Sequence, residues 1–161
     1  MPIAYIGLGA NLGQPARQIN AAITALGRAT GVTLIAQSSC YRSTAIGLPG
    51  QPDYCNAVCA VSATLDAESL FDVLIKVEQA AGRVRDGTRW GPRLLDLDLL
   101  HYEGVSSNSA RLTLPHPEIA KRNFVLVPLA EIAPELEIAG VGRIANLAAS
   151  LGRDGLSLWS D

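Results

Sequence analysis

Apolar positions come in two alternating rhythms along the chain. Residues 2–10 are rich in β-forming side chains and predict a strand. Helical spacing follows from about Gln14 to Arg28, carried by Ile19, Ala22, Ile23 and Leu26. Residues 32–43 read as a second strand. A loop with Gly47, Pro49, Gly50 and Pro52 leads to a third strand at about 53–64. Helical spacing returns over 66–81 through Leu70, Phe71, Leu74, Ile75, Val77 and Glu78. Asp66 or Ala67 opens this helix, and Glu68 sits in its first turn, where the dipole favours a carboxylate. A fourth strand is expected at about 94–102. A short strand at 111–114, a short helix after Pro117 and a helix over Val125–Ile132 follow. One more helix is expected after residue 140, before the tail frays.

The order β-α-β-β-α-β predicts a ferredoxin-like α+β sandwich, an antiparallel sheet with helices on one face. The segment Gly7-Leu8-Gly9-Ala10-Asn11-Leu12-Gly13 after the first strand invites a dinucleotide-binding reading. Its Gly-x-Gly-x-x-x-Gly spacing is one residue too long for that fingerprint, and no acidic residue ends a second strand near position 33. NAD binding is therefore rejected, and the glycines read as turn formers.

With 161 residues, nearly half of them apolar, the chain supports one ordinary core, and a single domain over 1–161 is expected. A net charge of −2 argues against nucleic-acid or acidic-membrane binding. No apolar run has the length of a membrane span, and the N-terminus lacks the basic start of a signal peptide. The expected compartment is the cytoplasm. Cys40, Cys55 and Cys59 are odd in number and bring no nearby His, so they read as free buried thiols.

Positive charge is local. Arg83, Arg85, Arg89 and Arg93 fall in one glycine-rich loop, out of only 13 basic residues in the chain. Directly after it comes Leu94-Leu95-Asp96-Leu97-Asp98-Leu99-Leu100. On a strand, Asp96 and Asp98 share one face, with Cα atoms about 6.6 Å apart. Two such carboxylates repel by roughly 2–3 kcal/mol at an effective dielectric near 20. A divalent cation turns that repulsion into attraction. Oxygen-only ligands suit Mg²⁺ with phosphates, and guanidinium groups suit the phosphates themselves. Tyr54 and Asn56 also share a strand face, where a ring can stack on a flat heterocycle and an amide can read its edge.

The run Arg89-Trp90-Gly91-Pro92-Arg93-Leu94-Leu95-Asp96-Leu97-Asp98-Leu99-Leu100 resembles the signature of the 6-hydroxymethyl-7,8-dihydropterin pyrophosphokinase family. Pro115-His116-Pro117 followed by Arg122, Phe124 and Val125 is a second match. The resemblance runs from about residue 2 to residue 138. It implies transfer of pyrophosphate from ATP to 6-hydroxymethyl-7,8-dihydropterin, giving AMP and the pterin diphosphate. It implies that Asp96 and Asp98 hold two Mg²⁺ ions and act in catalysis with Arg83 and Arg93. The implied pterin residues are Ser43, Gly47, Tyr54, Asn56 and Phe124. The implied ATP residues are Arg85, Trp90, Leu99, Arg111, Thr113, His116 and Arg122. Glu78, otherwise read as a solvated helix carboxylate, is implied to lie near the pterin side without binding metal. The expected partners are ATP and the pterin alone, with no nucleic acid and no membrane, and the expected state is a monomer. The chain departs from the family pattern at Ala10, usually Ser, at Thr44-Ala45, often Pro-Pro, and at Asp86, basic in several relatives. Two rivals are a small-ligand regulatory module, which needs no paired carboxylates, and a metal phosphoesterase, which needs more ligands than this strand supplies.

Overall fold

The computed structural model describes residues 1–44, 52–81 and 95–160. The chain order begins β1 (Ile3–Ala10), α1 (Pro15–Arg28), β2 (Val32–Gln37), β3 (Tyr41–Ser43), β4 (Tyr54–Ala63), α2 (Ala67–Ala80) and β5 (Asp96–Tyr102). It continues with β6 (Ser107–Asn108), β7 (Thr113–Leu114), a 3₁₀ turn (Ile119–Lys121) and α3 (Asn123–Ile132). The chain closes with β8 (Glu137–Ile138), β9 (Gly142–Arg143), α4 (Ile144–Leu151) and β10 (Leu156–Leu158).

The main sheet has the order β10-β3-β4-β1-β5, and β2 also pairs with β4. Every pairing in it is antiparallel. Pro15 starts α1 at a position that needs no amide donor, and the helix buries Ile19, Ala22, Ile23 and Leu26. The Asp66 carboxylate caps α2 by accepting from the Ser69 amide at 2.8 Å. Both helices pack on the face formed by Ala4, Ile6, Leu8, Cys55, Ala57, Cys59, Leu97 and Leu99. The ferredoxin-like expectation therefore holds, with α1 and α2 on one face.

The opposite face carries an added layer that four strands and two helices do not include. There Val58 and Leu100 meet Val125, Leu126 and Leu129 of α3 and Ile144 of α4. Apolar strand residues pointing that way need a cover, and α3 supplies it.

Two of the differences from the sequence reading change the main sheet. The expected strand over 32–43 is two strands, because Ser38 interrupts it. Its hydroxyl accepts from the Val58 amide at 2.9 Å and donates to the Ser39 carbonyl at 2.7 Å. The expected frayed tail instead forms β10, which adds to the edge of β3. Among the described residues, no helix is long and apolar enough to cross a membrane.

Candidate active site

The second face of β1, β4 and β5 has polar and apolar parts. On β5, Leu95, Leu97 and Leu99 are buried toward α1 and α2, so Asp96 and Asp98 turn the other way. The register places Gly9 opposite both Asp96 and Asn56, and Gly7 opposite both Asp98 and Val58. The row Asn56–Gly9–Asp96 thus crosses three strands, with its outer Cα atoms about 10 Å apart. Its middle position bears no side chain.

Gly7 and Gly9 belong to strand β1, so the turn-former reading fits only Gly13, whose φ is +63°. At Gly9 the small residue is needed for space, while at Gly7 an added Cβ would only touch a neighbour. A Cβ at Gly9 would come within 3.1 Å of Asn56 Nδ2, and one at Gly7 within 3.4 Å of Leu100. Neither glycine adds a side chain to the floor between the amide end and the carboxylate end, where the Asn56 amide reaches over Gly9 and the Leu100 side chain over Gly7.

At the amide end, the Ser43 hydroxyl donates to Asn56 Oδ1 at 2.6 Å. That contact leaves Nδ2 directed toward the Gly9 position. Tyr54 lies opposite Ser43 in the β3–β4 register and shares a face with Asn56. The buried Asn11, just past β1, donates from Nδ2 to the Pro52 carbonyl at 3.2 Å and so anchors the chain entering β4. Phe124 sits at the start of α3 and packs against the core on this face. The Arg122 guanidinium lies 5.6 Å from the Phe124 ring centre. At the other end of α3, Glu131 accepts from the Tyr41 hydroxyl at 2.5 Å, from the Ser39 amide at 2.9 Å and from the Ser39 hydroxyl at 3.1 Å. Burial first, and this bond second, push the Tyr41 hydroxyl up to about 12.

At the carboxylate end, His116 Nε2 lies 4.0 Å from Asp98 Oδ1. The His116 amide donates to the Leu100 carbonyl at 2.9 Å, which fastens the Pro-His-Pro segment to β5. His116 Nδ1 accepts from the Glu118 amide at 3.1 Å. Because Nδ1 accepts, the proton of the neutral ring resides on Nε2, facing Asp98. Asp96 and Asp98 offer only oxygen donors on one face beside glycine, and the Asp98 side chain is 49% exposed. That donor set and that glycine floor fit a hard divalent cation shared with phosphate oxygens. No group of three or more His, Cys, Asp or Glu side chains able to hold a metal occurs among the described residues.

Glu78 corrects the reading of a solvated carboxylate. It is 7% exposed and accepts from the Leu97 amide at 2.7 Å. It approaches β5 from α2, behind the Asp96–Asp98 pair, and fixes the backbone between them.

Other expected ATP residues fall farther round the β5 edge. Leu99 turns its side chain into the core, which leaves only its backbone for a ligand. Thr113 is exposed on β7, which packs beside β5. Arg111 is held against α2, bonded to Glu68 and Asp72, with its guanidinium 5.0 Å from the Phe71 ring centre. Those two carboxylates hold its pKa above the ordinary arginine value. Gly47, Arg83, Arg85, Trp90 and Arg93 lie outside the described residues. The structure thus brings together Ser43, Tyr54 and Asn56 at one end and Asp96, Asp98 and His116 at the other, with Phe124 packed on the same face of the sheet. The glycine floor and the Glu78 support were missed by the sequence reading. The alternation that separates Gly7 and Gly9 from Leu8 could have revealed the floor.

Residues 5–134 match the family model described as 7,8-dihydro-6-hydroxymethylpterin-pyrophosphokinase (HPPK). The chain is 44% identical over 140 residues to a protein of Methylorubrum extorquens named 2-amino-4-hydroxy-6-hydroxymethyldihydropteridine pyrophosphokinase, covering 87% of this chain and 88% of that one. A Haemophilus influenzae protein of the same name is 44% identical over 147 residues, covering 91% of each. Among solved structures, wild-type Plasmodium falciparum HPPK-DHPS with pteroate superposes at a TM-score of 0.74 with 13% identity. That match covers 92% of this chain and 42% of the longer one, so it speaks to the fold alone.

Proposed function

The chain belongs to the 7,8-dihydro-6-hydroxymethylpterin-pyrophosphokinase family, and from that premise we propose how its own residues carry the reaction. It transfers a pyrophosphoryl group from ATP to hydroxymethyldihydropterin in folate biosynthesis. The hydroxymethyl oxygen forms a bond to the β-phosphorus and loses its proton to solvent, the bond from that phosphorus to the α–β bridging oxygen breaks, and AMP leaves with that oxygen. Little covalent chemistry falls to the protein in such a transfer, so position and charge decide the rate.

The row Asn56–Gly9–Asp96 carries the reading. It sets a base-reading amide and a carboxylate pair at opposite ends of a glycine floor. Tyr54 and Phe124 enclose the flat ring, and Asn56, oriented by Ser43, reads its edge. The exocyclic hydroxymethyl group then points along the floor toward Asp96 and Asp98. These two carboxylates would hold Mg²⁺, which would supply neutralisation of the phosphate charge. His116 Nε2–H donates to phosphate oxygens at that end, and Arg122, whose guanidinium stands beside Phe124, offers the phosphates a further cation. By the sequence motif, Arg83, Arg85 and Arg93 would add further cations for the phosphates, with Trp90 a further contact to the nucleotide.

A product assay tests this reading. The protein is mixed with ATP, Mg²⁺ and 6-hydroxymethyl-7,8-dihydropterin, and the nucleotides are separated. The expected result is AMP formed one-for-one with pterin diphosphate, and only with pterin and metal both present. ADP or free phosphate in place of AMP contradicts the reading.

A further inference from the structure

The segment after α4 lies beyond the 5–134 stretch that matches the family, yet it touches both walls of the pterin slot. On one side, β10 pairs with β3, with Leu156 opposite Ser43, Ser157 opposite Arg42 and Leu158 opposite Tyr41. The Trp159 amide donates to the Cys40 carbonyl at 2.9 Å. The Arg42 guanidinium lies 4.0 Å from the Trp159 ring centre, and its Nη1 lies 3.7 Å from the Asp53 carboxylate, one residue before Tyr54. On the other side, Asn123 Nδ2 donates to the Asp154 carbonyl at 2.9 Å, one residue before Phe124. Gly155 stands between the two attachments at φ +75°, a conformation that suits glycine.

These contacts complete a pattern. Helix α3 is tied to the β3 segment at both ends. Its C-terminal end is tied directly, through Glu131 to Tyr41 and Ser39. Its N-terminal end, which bears Phe124, is tied through residues 154–156 of the tail.

We propose that the C-terminal segment 153–160 is a positioning element for the pterin slot, holding the Phe124 wall at a fixed distance from the Ser43–Tyr54–Asn56 wall. Asn123 and Trp159 are its positioning residues. Neither needs to touch substrate. The inference rests on the assignment of these walls to the pterin in the proposed function. The tail contacts are partly exposed, so each adds little to global stability. Each nonetheless limits where one wall stands against the other, and a stacked ring is sensitive to that spacing.

The test uses full-length Asn123→Ala and Trp159→Ala. Dissociation constants for 6-hydroxymethyl-7,8-dihydropterin and for a non-hydrolysable ATP analogue with Mg²⁺ are measured separately by calorimetry, with melting curves on the same samples. The expected result is pterin binding weakened by about tenfold in each variant, from one lost tie. Nucleotide binding stays within about twofold of wild type. Asn123→Gln, which keeps the amide donor, recovers most of the pterin affinity. Unchanged pterin affinity in both alanine variants overturns the proposal. So does an equal loss of pterin and nucleotide affinity with a lower melting temperature, which makes the tail a general stabiliser. The wild-type arm separates the two levels: failure of the wild type to bind pterin overturns the proposed function together with this inference.

Discussion

The two faces of β1, β4 and β5 share one backbone and differ in nearly everything else. Toward α1 and α2 the strands present Ala4, Ile6, Leu8, Cys55, Ala57, Cys59, Leu97 and Leu99, all buried. Burial there pushes the Cys59 thiol up to about 12, as expected of an inert buried residue. Toward α3 the same strands present Gly7, Gly9, Asn56, Asp96 and Asp98 around a small apolar patch at Val58 and Leu100. One face maximises packing, and the other keeps a gap between polar groups. The period of two along a strand lets adjacent residues serve these opposed needs. Leu97 is core and Asp98 is site, one peptide bond apart.

The sharpest way to break the comparison is to truncate those neighbours in turn. Asp98→Ala is expected to cut turnover by at least about a thousandfold while leaving the melting curve near wild type, because its lost contacts serve charge and not packing. A melting curve collapsed like that of a core deletion would show Asp98 to be structural. Leu97→Ala is expected to cost about 3 kcal/mol in urea unfolding, as a buried leucine loses its contacts and leaves a cavity. Residual activity per folded molecule should stay close to wild type. A cost below about 1 kcal/mol would mean that the α1–α2 face is not the packed one.

Smaller effects sharpen the picture. Gly9→Ala places a methyl group 3.1 Å from Asn56 Nδ2. Pterin affinity should fall by about tenfold, measured by calorimetry, with no loss of nucleotide affinity. Equal affinities would show that the floor is not occupied by the ring. The smallest effect is an alkaline one. Tyr41 titrates near 12 when folded and near 10 when unfolded. Above the unfolded value the unfolded chain gives up a proton that the folded chain keeps, so stability falls between about pH 10 and 12. Tyr41→Phe should make that fall shallower in melting curves taken across the window.

Much of this division was legible from spacing alone. Alternation placed Asp96 and Asp98 on one side and the leucines on the other, and it paired Tyr54 with Asn56. Helical spacing found α1 and α2, including Asp66 as a cap. The rest depends on partners distant in sequence. Ser38 breaks the expected second strand because its hydroxyl meets the Val58 amide, twenty residues on. Glu78 reads as solvated from its charge alone, although it continues the buried Leu70–Leu74 row of α2, and it bonds the Leu97 amide across the α2–β5 packing. β10 is a Leu-Ser-Leu triplet too short to signal a strand, and the open edge of β3 makes it one. The glycines at 7 and 9 read as a turn because the local pattern cannot show that Asn56 stands beside them. The arginines of the loop before β5 lie outside the described residues, so their placement rests on the sequence motif.

The most direct test of the account is Mg²⁺-dependent ATP binding by the double variant Asp96→Asn/Asp98→Asn, measured beside pterin binding. The account predicts that Mg²⁺ no longer strengthens ATP binding, while pterin affinity and the melting curve stay near wild type. Full Mg²⁺ dependence in the double variant would contradict it and remove the metal site from this face of β5.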